Sequence, residues 1–180
     1  MSAGFRAPGV RVFLACSLDG FIAGPGDDLS WLPSPDPGGE DYGYEAFIRE
    51  TKAILMGRRT YDVAASFDRW PYGDMPVYVA TSRPLDPVAE TVVPVIGSPA
   101  ELLAAVRKRT DGAIYLDGGA LIRAFVAEDL VDELTITIVP VVLGRGTPLF
   151  AGPASPRPLV LISATPYPDG LVKLHYVPRR

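Results

Sequence analysis

The sequence predicts an α/β domain with a mostly parallel central sheet, helices on both faces of the sheet and antiparallel strands at its C-terminal end. Strand patterns alternate with helical patterns as far as residue 128, which is typical of parallel strands joined by crossover helices. The closing strands follow one another without a helix between them, which favours antiparallel pairing. The chain has 180 residues, of which 48% are hydrophobic, so it is long enough to bury one core. We therefore expect a loose tail over residues 1–9 and a single domain over residues 10–180.

The first half of the chain alternates between predicted strands and predicted helices. An apolar run predicts a strand over Val10–Ser17, and the Gly-, Pro- and Asp-rich residues 24–40 predict a long loop. Apolar residues at helical spacing predict a helix over residues 41–51. Short apolar runs predict strands over residues 52–57, 76–82 and 91–96. Between the first two of these strands, a helix is predicted over residues 58–67, directly after Gly57.

The second half begins with a clear helix start. Ser98 is a typical N-cap, Pro99 suits the first helical position and Glu101 lies in the first turn, so we predict a helix over residues 98–109. The remaining elements follow from apolar runs that glycine or proline interrupts: a strand over 113–119, a helix over 120–129, a long strand over 131–144, and a hairpin with strands over 158–167 and 171–178.

Composition and charge exclude several classes of protein. The net charge is −4 and no basic cluster is visible, which argues against a nucleic-acid partner. No apolar stretch approaches the length of a membrane span, and no signal peptide is recognisable. Cys16 is the single cysteine and His175 the single histidine, so the chain lacks the ligands of common zinc sites and cannot form an internal disulfide. We expect no metal ion and a reducing, cytoplasmic location.

Small-residue turns follow the predicted strands at four places. They are Ala15–Gly24, Met56–Thr60, Thr81–Pro84 and Asp117–Ile122, and ligands of open α/β sheets bind beyond such strand ends. Glycines allow a ligand to approach the main chain, while arginines, hydroxyls and helix starts favour an anion. Each turn alone is also compatible with a solvated helix start or a plain tight turn. Together they predict a phosphate-bearing nucleotide, although the chain has neither the Rossmann glycine motif nor a P-loop.

Five segments occur in an order that resembles the dihydrofolate reductase-like superfamily. They are SLDGFIA, MGRRTYD, ATSRPL, LDGGALI and VDELTITIVPVVLGRGTPLF. The chain looks closest to the C-terminal reductase domain of the riboflavin-biosynthesis deaminase-reductase, over nearly its whole length. The resemblance implies a three-layer dihydrofolate reductase-like fold and an NADPH-dependent reductase that acts on a small heterocyclic substrate. The zinc ligands of the deaminase half are absent, so a stand-alone reductase domain is implied.

The resemblance also implies which residues bind NADPH. Ala15 and Ile22 would flank the nicotinamide, with the main chain of Ala15 binding its carboxamide. The pair Gly118–Gly119, often joined by a cis peptide bond in this family, would lie at the pyrophosphate. The other implied contacts are Gly57, Arg58, Arg59 and Thr60 at the phosphates, Thr81, Ser82 and Arg83 at the adenosine end near a 2′-phosphate, and Ala120, Leu121 and Ile122 over the pyrophosphate.

Asp41 is the implied catalytic and substrate-binding carboxylate. Counting back from Gly57, it falls where folate reductases carry their pterin-binding carboxylate. The alternative is a capping carboxylate, because Asp41 stands at the start of a predicted helix. Glu40 and Glu45 are further candidates for the same role.

The ring of the substrate would be lined by aromatic residues. Trp31, Tyr44 and Phe47 are the candidates, and for Tyr44 and Phe47 the helical spacing also predicts a place in the core.

Two other functions stay open beside the reductase: a nucleotide-binding or ligand-binding protein without turnover, and a true dihydrofolate reductase. The resemblance also implies a homodimer. The predicted antiparallel end of the sheet, Leu134–Val142 with the final hairpin, would expose apolar strand surface that a symmetric partner could cover.

Overall fold

The described part of the chain comprises residues 9–33, 39–151 and 155–179 of a computed structural model. Its strands are β1 (Val10–Ser17), β2 (Phe21–Ala23), β3 (Thr51–Gly57), β4 (Val77–Ala80), β5 (Val92–Val95), β6 (Ala113–Asp117), β7 (Glu133–Val139), β8 (Thr147–Pro148), β9 (Leu159–Pro166) and β10 (Val172–Pro178). Its helices are α1 (Tyr44–Glu50), α2 (Arg58–Ala65), α3 (Pro99–Arg107) and α4 (Gly119–Ala127), and a short 3-10 helix covers Pro25–Asp27. The predicted tail, except for Gly9, lies outside the described residues, and the Gly9 carbonyl accepts a hydrogen bond from the N–H of Ile114 at 3.1 Å.

Eight strands form one sheet in the order β5-β4-β3-β6-β1-β7-β10-β9, and β2 pairs with β8 in a separate two-stranded sheet. Neighbouring strands from β5 to β7 are parallel, whereas β10 is antiparallel to both β7 and β9. The hairpin of β9 and β10 needs no crossover, so these strands join the sheet at one edge. The predicted fold class, a mostly parallel sheet with antiparallel C-terminal strands, is confirmed.

Two apolar clusters, one on each face of the sheet, form the core. On one face, Leu102 and Val106 of α3 and Phe125 of α4 pack with the strands. On the other face, Phe47 of α1 and Tyr61 of α2 pack with β3 and β4. Phe125 has no exposed surface, and full burial of such a side chain stabilises the fold by about 1.5–3 kcal/mol. The helices therefore cover both faces and produce the predicted three layers.

The start of α3 follows directly from its first residues. The Ser98 hydroxyl accepts a hydrogen bond from the N–H of Glu101 at 3.4 Å, and the Glu101 carboxylate accepts one from the N–H of Ser98 at 2.8 Å. Pro99 occupies the first turn, where an N–H has no helical partner. This reciprocal capping is local chemistry, which is why the sequence predicts this boundary correctly.

Two element boundaries differ from the sequence prediction by three residues or more. α1 begins at Tyr44 rather than at residue 41, because Tyr42 and Gly43 have φ values of 54° and 87° and cannot continue a right-handed helix. β7 ends at Val139 rather than at residue 144, because Pro140 has no N–H for a neighbouring strand. Among the described residues, no helix has the length and hydropathy to cross a membrane.

Candidate cofactor and substrate site

The turn between β1 and β2 is held by a carboxylate. The Ser17 hydroxyl donates to Oδ1 of Asp19 at 2.7 Å and accepts from the N–H of Phe21 at 2.9 Å. The Asp19 carboxylate also accepts from the N–H groups of Leu143 and Gly144 at 3.1 and 2.7 Å. The hydrogen bond from Ser17, followed by those from Gly144 and Leu143, holds the pKa of Asp19 below its usual value. The turn is thereby fastened to the segment that follows β7.

Three of the four predicted turns meet at the carboxyl end of the parallel strands. A Cβ atom on Gly118, where φ is 98°, would lie 2.7 Å from Oγ1 of Thr60 and 3.4 Å from the backbone nitrogen of Gly57. A Cβ atom on Gly119 would lie 2.5 Å from Cδ1 of Ile22. At Gly118 the positive φ and the contact with Thr60 favour glycine, whereas at Gly119 the contact is with the end of the Ile22 side chain. The three turns therefore lie in direct contact.

The starts of two helices lie at this meeting point. α2 begins directly after Gly57 and α4 directly after Gly118, and the first N–H groups of a helix have no partner inside it. Of the residues predicted in α4, Ala120 is exposed and Leu121 is partly buried. Ile122 is fully buried, and its N–H donates to the Gly118 carbonyl at 2.9 Å. Ile122 therefore supports the turn from the core side, and neither its side chain nor its N–H faces a ligand.

Both arginines at the start of α2 already have acceptors. Arg58 donates from Nε to Oδ1 of Asp62 at 2.7 Å and from a terminal nitrogen to the carbonyl of Pro84 at 2.8 Å. Arg59 donates from Nε to Oδ2 of Asp27 at 2.8 Å, and a second nitrogen contacts the other oxygen of the same carboxylate. The sequence predicted these two cations but not the carboxylates that hold them.

The turn after β4 is shaped by Thr81. Its hydroxyl accepts from the N–H of Arg83 at 3.1 Å and donates to the Arg83 carbonyl at 3.3 Å. The Arg83 guanidinium lies 3.9 Å from Oδ2 of Asp62 on α2. Ser82, between Thr81 and Arg83 in the sequence, is exposed. The predicted adenosine-end residues therefore stand next to the start of α2, through Asp62.

The peptide bond between Gly118 and Gly119 is trans, because no cis peptide bond occurs in the described ranges. The prediction of a cis bond, which the family resemblance implied, is therefore wrong for this structure. The chain enters α4 through the backbone of Gly118 instead, where φ is 98° and ψ is 121°. The N–H of Gly118 donates to Oδ1 of Asp117 at 2.8 Å, which holds the preceding peptide, between Asp117 and Gly118, in place.

Asp117, the last residue of β6, brings a carboxyl group to the meeting point of the turns. Its four strand neighbours are buried, whereas Asp117 itself stays partly accessible. Burial raises the pKa of Asp117, although hydrogen bonds from Gly118 and from the Tyr115 side chain act in the opposite direction. The Tyr115 hydroxyl has one proton and donates it at 3.0 Å to the carbonyl of Phe13, so its hydrogen bond to Asp117 is a shared one. Asp117 therefore keeps its proton to higher pH than an exposed aspartate does.

Aromatic side chains surround Asp117. Burial, followed by the charge of Asp117, raises the pKa values of Tyr44 and Tyr72. The ring of Phe13 lies 5.7 Å from that of Tyr44, and Phe47 meets Tyr115 edge to face at 5.0 Å. An aromatic wall beside a carboxyl group with a raised pKa suits a flat heterocycle with a hydrogen-bonding edge.

Asp41, the predicted catalytic carboxylate, lies exposed at the start of α1. Its Oδ2 accepts from the N–H of Glu45 at 2.7 Å and its Oδ1 from the N–H of Gly43 at 2.9 Å. These hydrogen bonds hold the pKa of Asp41 below its usual value, so it is a weak source of protons near neutral pH. Of the two alternatives for Asp41, the geometry favours the capping carboxylate. Glu40 likewise accepts from the N–H of Tyr42 at 2.9 Å.

The three predicted pocket aromatics have different environments. Phe47 is 5% exposed and belongs to the core, as its helical spacing also predicted. Tyr44 is 36% exposed, so one side of its ring faces outward near Asp117. Trp31 is partly buried and donates from Nε1 to the carbonyl of Asp28 at 3.1 Å.

Sequence reasoning missed two polar groups beside these residues. Thr137 of β7 pairs in register with Ala15 and is 3% exposed, yet its hydroxyl finds no partner among the described residues. The indole N–H of Trp70, whose ring lies 5.1 Å from that of Tyr72, is also buried without a described partner. Buried polar groups are usually paired, so both have unused hydrogen-bonding capacity. A threonine within an apolar strand was the available signal for Thr137.

The chain belongs to the RibD C-terminal domain family, whose family model matches residues 8–173. The uncharacterized protein YwjB of Bacillus subtilis is 36% identical over 169 residues, which cover 92% of this chain and 95% of YwjB. The crystal structure of a candidate riboflavin biosynthesis protein from Shewanella sp. PV-4 has a TM-score of 0.86 and 34% identity. That match covers 96% of this chain and 99% of the Shewanella chain.

More distant solved structures share the fold. A diaminohydroxyphosphoribosylaminopyrimidine deaminase/5-amino-6-(5-phosphoribosylamino)uracil reductase from Thermotoga maritima has a TM-score of 0.72 at 15% identity, over 96% of this chain and 57% of that chain. The dihydrofolate reductase of Enterococcus faecalis, complexed with NADP(H), has a TM-score of 0.67 at 17% identity, over 96% of this chain and 97% of that chain. The predicted family and its dihydrofolate reductase-like fold are confirmed.

We predict that the stability effect of Asp117→Asn depends on pH. The native state binds the Asp117 proton more tightly than the unfolded state, so the carboxyl group stabilises the fold at low pH. This stabilising contribution of Asp117 is lost as the pH rises through its raised native pKa, because the carboxyl group must then become charged in a desolvated environment. The melting temperature of Asp117→Asn minus that of the wild type should therefore increase from about pH 4 to about pH 8 in thermal melts.

Asp41→Asn is the matched control, because hydrogen bonds lower the pKa of Asp41 instead of raising it. Its melting-temperature difference should not increase over the same rise in pH. An Asp117→Asn difference that is the same at every pH would contradict the raised pKa.

Proposed function

We propose that this protein is a reductase that transfers a hydride from NADPH to a C=N or C=O bond of a small heterocycle, with Asp117 supplying the proton. The observation that carries the proposal is the position of Asp117, a partly accessible carboxyl group with a raised pKa next to the meeting glycine turns. Membership in the RibD C-terminal domain family supports a reductase-like role.

The glycine turns support the fit of NADPH. Gly118 and Gly119 let the turns pack against Thr60 and Ile22. This packing brings together the starts of α2 and α4, whose first N–H groups suit a pyrophosphate. In this arrangement Ala15 and Ile22 lie beside the nicotinamide. The phosphates bind at Gly57, Arg58, Arg59 and Thr60, the pyrophosphate at Gly118–Leu121, and the adenosine end at Thr81, Ser82 and Arg83. When bound, NADPH supplies the hydride.

The chain itself contributes orientation and a proton. Burial raises the pKa of Asp117, and in this proposal its protonated carboxyl group is the form that acts. As a hydride adds to the carbon of a C=N bond, the electron pair of that bond moves to nitrogen. The O–H bond of Asp117 breaks and an N–H bond forms on the substrate, and water then returns a proton to the carboxylate. Tyr44 and Phe13 hold the flat acceptor beside this group and keep bulk water away.

The first acceptor to test is 5-amino-6-(5-phosphoribosylamino)uracil, the compound that the related Thermotoga maritima protein reduces according to its name. Dihydrofolate is the second, because the fold is shared with dihydrofolate reductase. NADPH binding without oxidation in the presence of either compound would favour a binding protein without turnover.

We further propose a cytoplasmic location. Cys16 is a free and buried cysteine, and burial raises the pKa of its thiol to about 11. Such a thiol is unreactive, and a protein without a disulfide suits a reducing compartment that also contains NADPH.

We predict that Asp117→Asn lowers turnover by roughly 10²–10⁴-fold, the usual loss when a general acid is removed. NADPH affinity should change little, because the amide keeps the shape of the side chain. The measurement is NADPH oxidation with a saturating acceptor, alongside a fluorescence titration of NADPH.

Asp41→Asn is the control for this prediction as well, since Asn retains the capping geometry and Asp41 is not the proton source. Its turnover should stay near the wild-type value. The opposite result, a loss of turnover in Asp41→Asn and none in Asp117→Asn, would show that Asp41 is the catalytic carboxylate.

We predict that NADPH binds more tightly than NADH. The arginines at the start of α2 and in the turn after β4 can form charge-assisted hydrogen bonds with a 2′-phosphate, which NADH lacks. Fluorescence titration at moderate salt gives both dissociation constants. Equal constants would count against the proposed adenosine end.

We also propose that the protein forms a homodimer through the β9 edge of the sheet. β9 carries no charged residue, and Val160, Leu161 and Ile162 are 37%, 50% and 54% exposed. An uncharged apolar edge strand of eight residues is a surface that a second copy can cover. Light scattering at micromolar concentration should give the mass of a dimer, and Leu161→Glu should reduce it. A monomer mass for the wild type would refute this prediction.

A further inference from the structure

We infer that Asp62 sets how strongly the protein discriminates between NADPH and NADH, because it partly neutralises Arg83 at the adenosine end of the site and the neighbouring Arg58. The inference rests on the proposed function, since it concerns the same cofactor. Asp62 was not among the residues that the sequence predicted for the site.

One carboxylate serves two guanidinium groups here. Oδ1 of Asp62 lies 2.7 Å from Nε of Arg58, and Oδ2 lies 3.9 Å from a terminal nitrogen of Arg83. The side chain of Arg58 is 24% exposed, that of Asp62 47% and that of Arg83 69%. Asp62 thus stands between a well-held cation and a freely accessible one.

The two arginines are also positioned independently of Asp62. Arg58 donates to the Pro84 carbonyl at 2.8 Å, and the backbone of Arg83 is held by the Thr81 hydroxyl at 3.1 Å. Both guanidinium groups therefore belong to one small surface between α2 and the turn after β4. The formal charge of Arg58, Arg83 and Asp62 together is +1, whereas the two arginines alone would give +2.

A 2′-phosphate and a 2′-hydroxyl respond to Asp62 in opposite ways. The phosphate carries negative charge and must approach the arginines against the repulsion of the carboxylate. The hydroxyl of NADH is neutral and can donate a hydrogen bond to a carboxylate, as in other dinucleotide sites. Asp62 therefore weakens NADPH binding and leaves NADH binding unchanged or slightly favoured.

A simpler role for Asp62 is an i,i+4 ion pair with Arg58 that stabilises α2. That role predicts a small change in melting temperature and equal changes in affinity for the two cofactors, since exposed pairs contribute little. The ratio of the two dissociation constants separates the two roles, because only the electrostatic one changes it.

The test is Asp62→Asn, which keeps the shape and removes the charge. NADPH and NADH are titrated into wild type and variant by fluorescence at low ionic strength. We expect the dissociation constant for NADPH to fall by about three- to tenfold and that for NADH to stay the same or rise. The gain in NADPH affinity should be smaller at about 1 M salt, because salt screens the repulsion between the Asp62 carboxylate and the 2′-phosphate.

Two further variants make the result specific. Asp68→Asn removes the same charge shortly after α2, from an exposed side chain that makes no hydrogen bond or ion pair within the described ranges, so it should leave the ratio unchanged. Arg83→Gln should weaken NADPH binding selectively. In the double variant Asp62→Asn/Arg83→Gln the gain from Asp62→Asn should be smaller, because one of the two released cations is gone.

The possible results are distinguishable. The inference is supported if the dissociation constant for NADPH falls relative to that for NADH in Asp62→Asn but not in Asp68→Asn. This holds whichever cofactor the wild type binds more tightly. An unchanged ratio, or weaker NADPH binding in Asp62→Asn, overturns it while the proposed function stands. Failure of wild type to bind either dinucleotide overturns the proposed function and the inference together.

Discussion

The close approach of two glycine turns is the constraint on which the whole candidate site depends. β3 and β6 are neighbours in the sheet, so the turns that follow them leave the same edge side by side. At Gly118, where φ is 98°, an added methyl group would collide with the Thr60 hydroxyl and touch the backbone nitrogen of Gly57. The same packing brings Ile22 against Gly119, which adds the turn between β1 and β2. Parallel topology thus assembles three remote segments, and the absence of side chains makes their contact possible.

Charge at this edge is arranged in pairs. Arg59 is held by Asp27, and Arg58 by Asp62, which also faces Arg83. An anion that binds here meets cations that are already oriented but already partly neutralised. This explains how a chain with a net charge of −4 and no basic cluster can offer a site for a phosphate-bearing ligand. Under the proposed function, the carboxylates therefore affect the binding of an anion as well as the arginines do.

Two aspartates show how strongly position decides chemistry. Asp41 is exposed and accepts two backbone hydrogen bonds, which lower its pKa, whereas burial raises the pKa of Asp117. The sequence placed Asp117 before the glycine pair but could not show that Tyr44 and Tyr72, from two other segments, come close to it. The family resemblance pointed to Asp41 instead, and its alternative role as a helix cap was equally visible in the sequence pattern. Desolvation is a property of the folded surroundings, so no local pattern reports it.

The sequence by itself determined the four helices and the eight strands of the main sheet, their order and the direction of the strands. The capping box at Ser98, the glycine before α2 and the hairpin after β9 act through neighbouring residues, so their effects can be predicted locally. Tertiary structure decided where α1 begins and β7 ends, whether the Gly118–Gly119 bond is trans, and which acids hold which arginines. Asp27 and Arg59 are 32 positions apart, and Asp117 and Tyr44 lie on different elements. Such contacts depend on packing between distant segments, which fixes the electrostatics of the site only once the chain has folded.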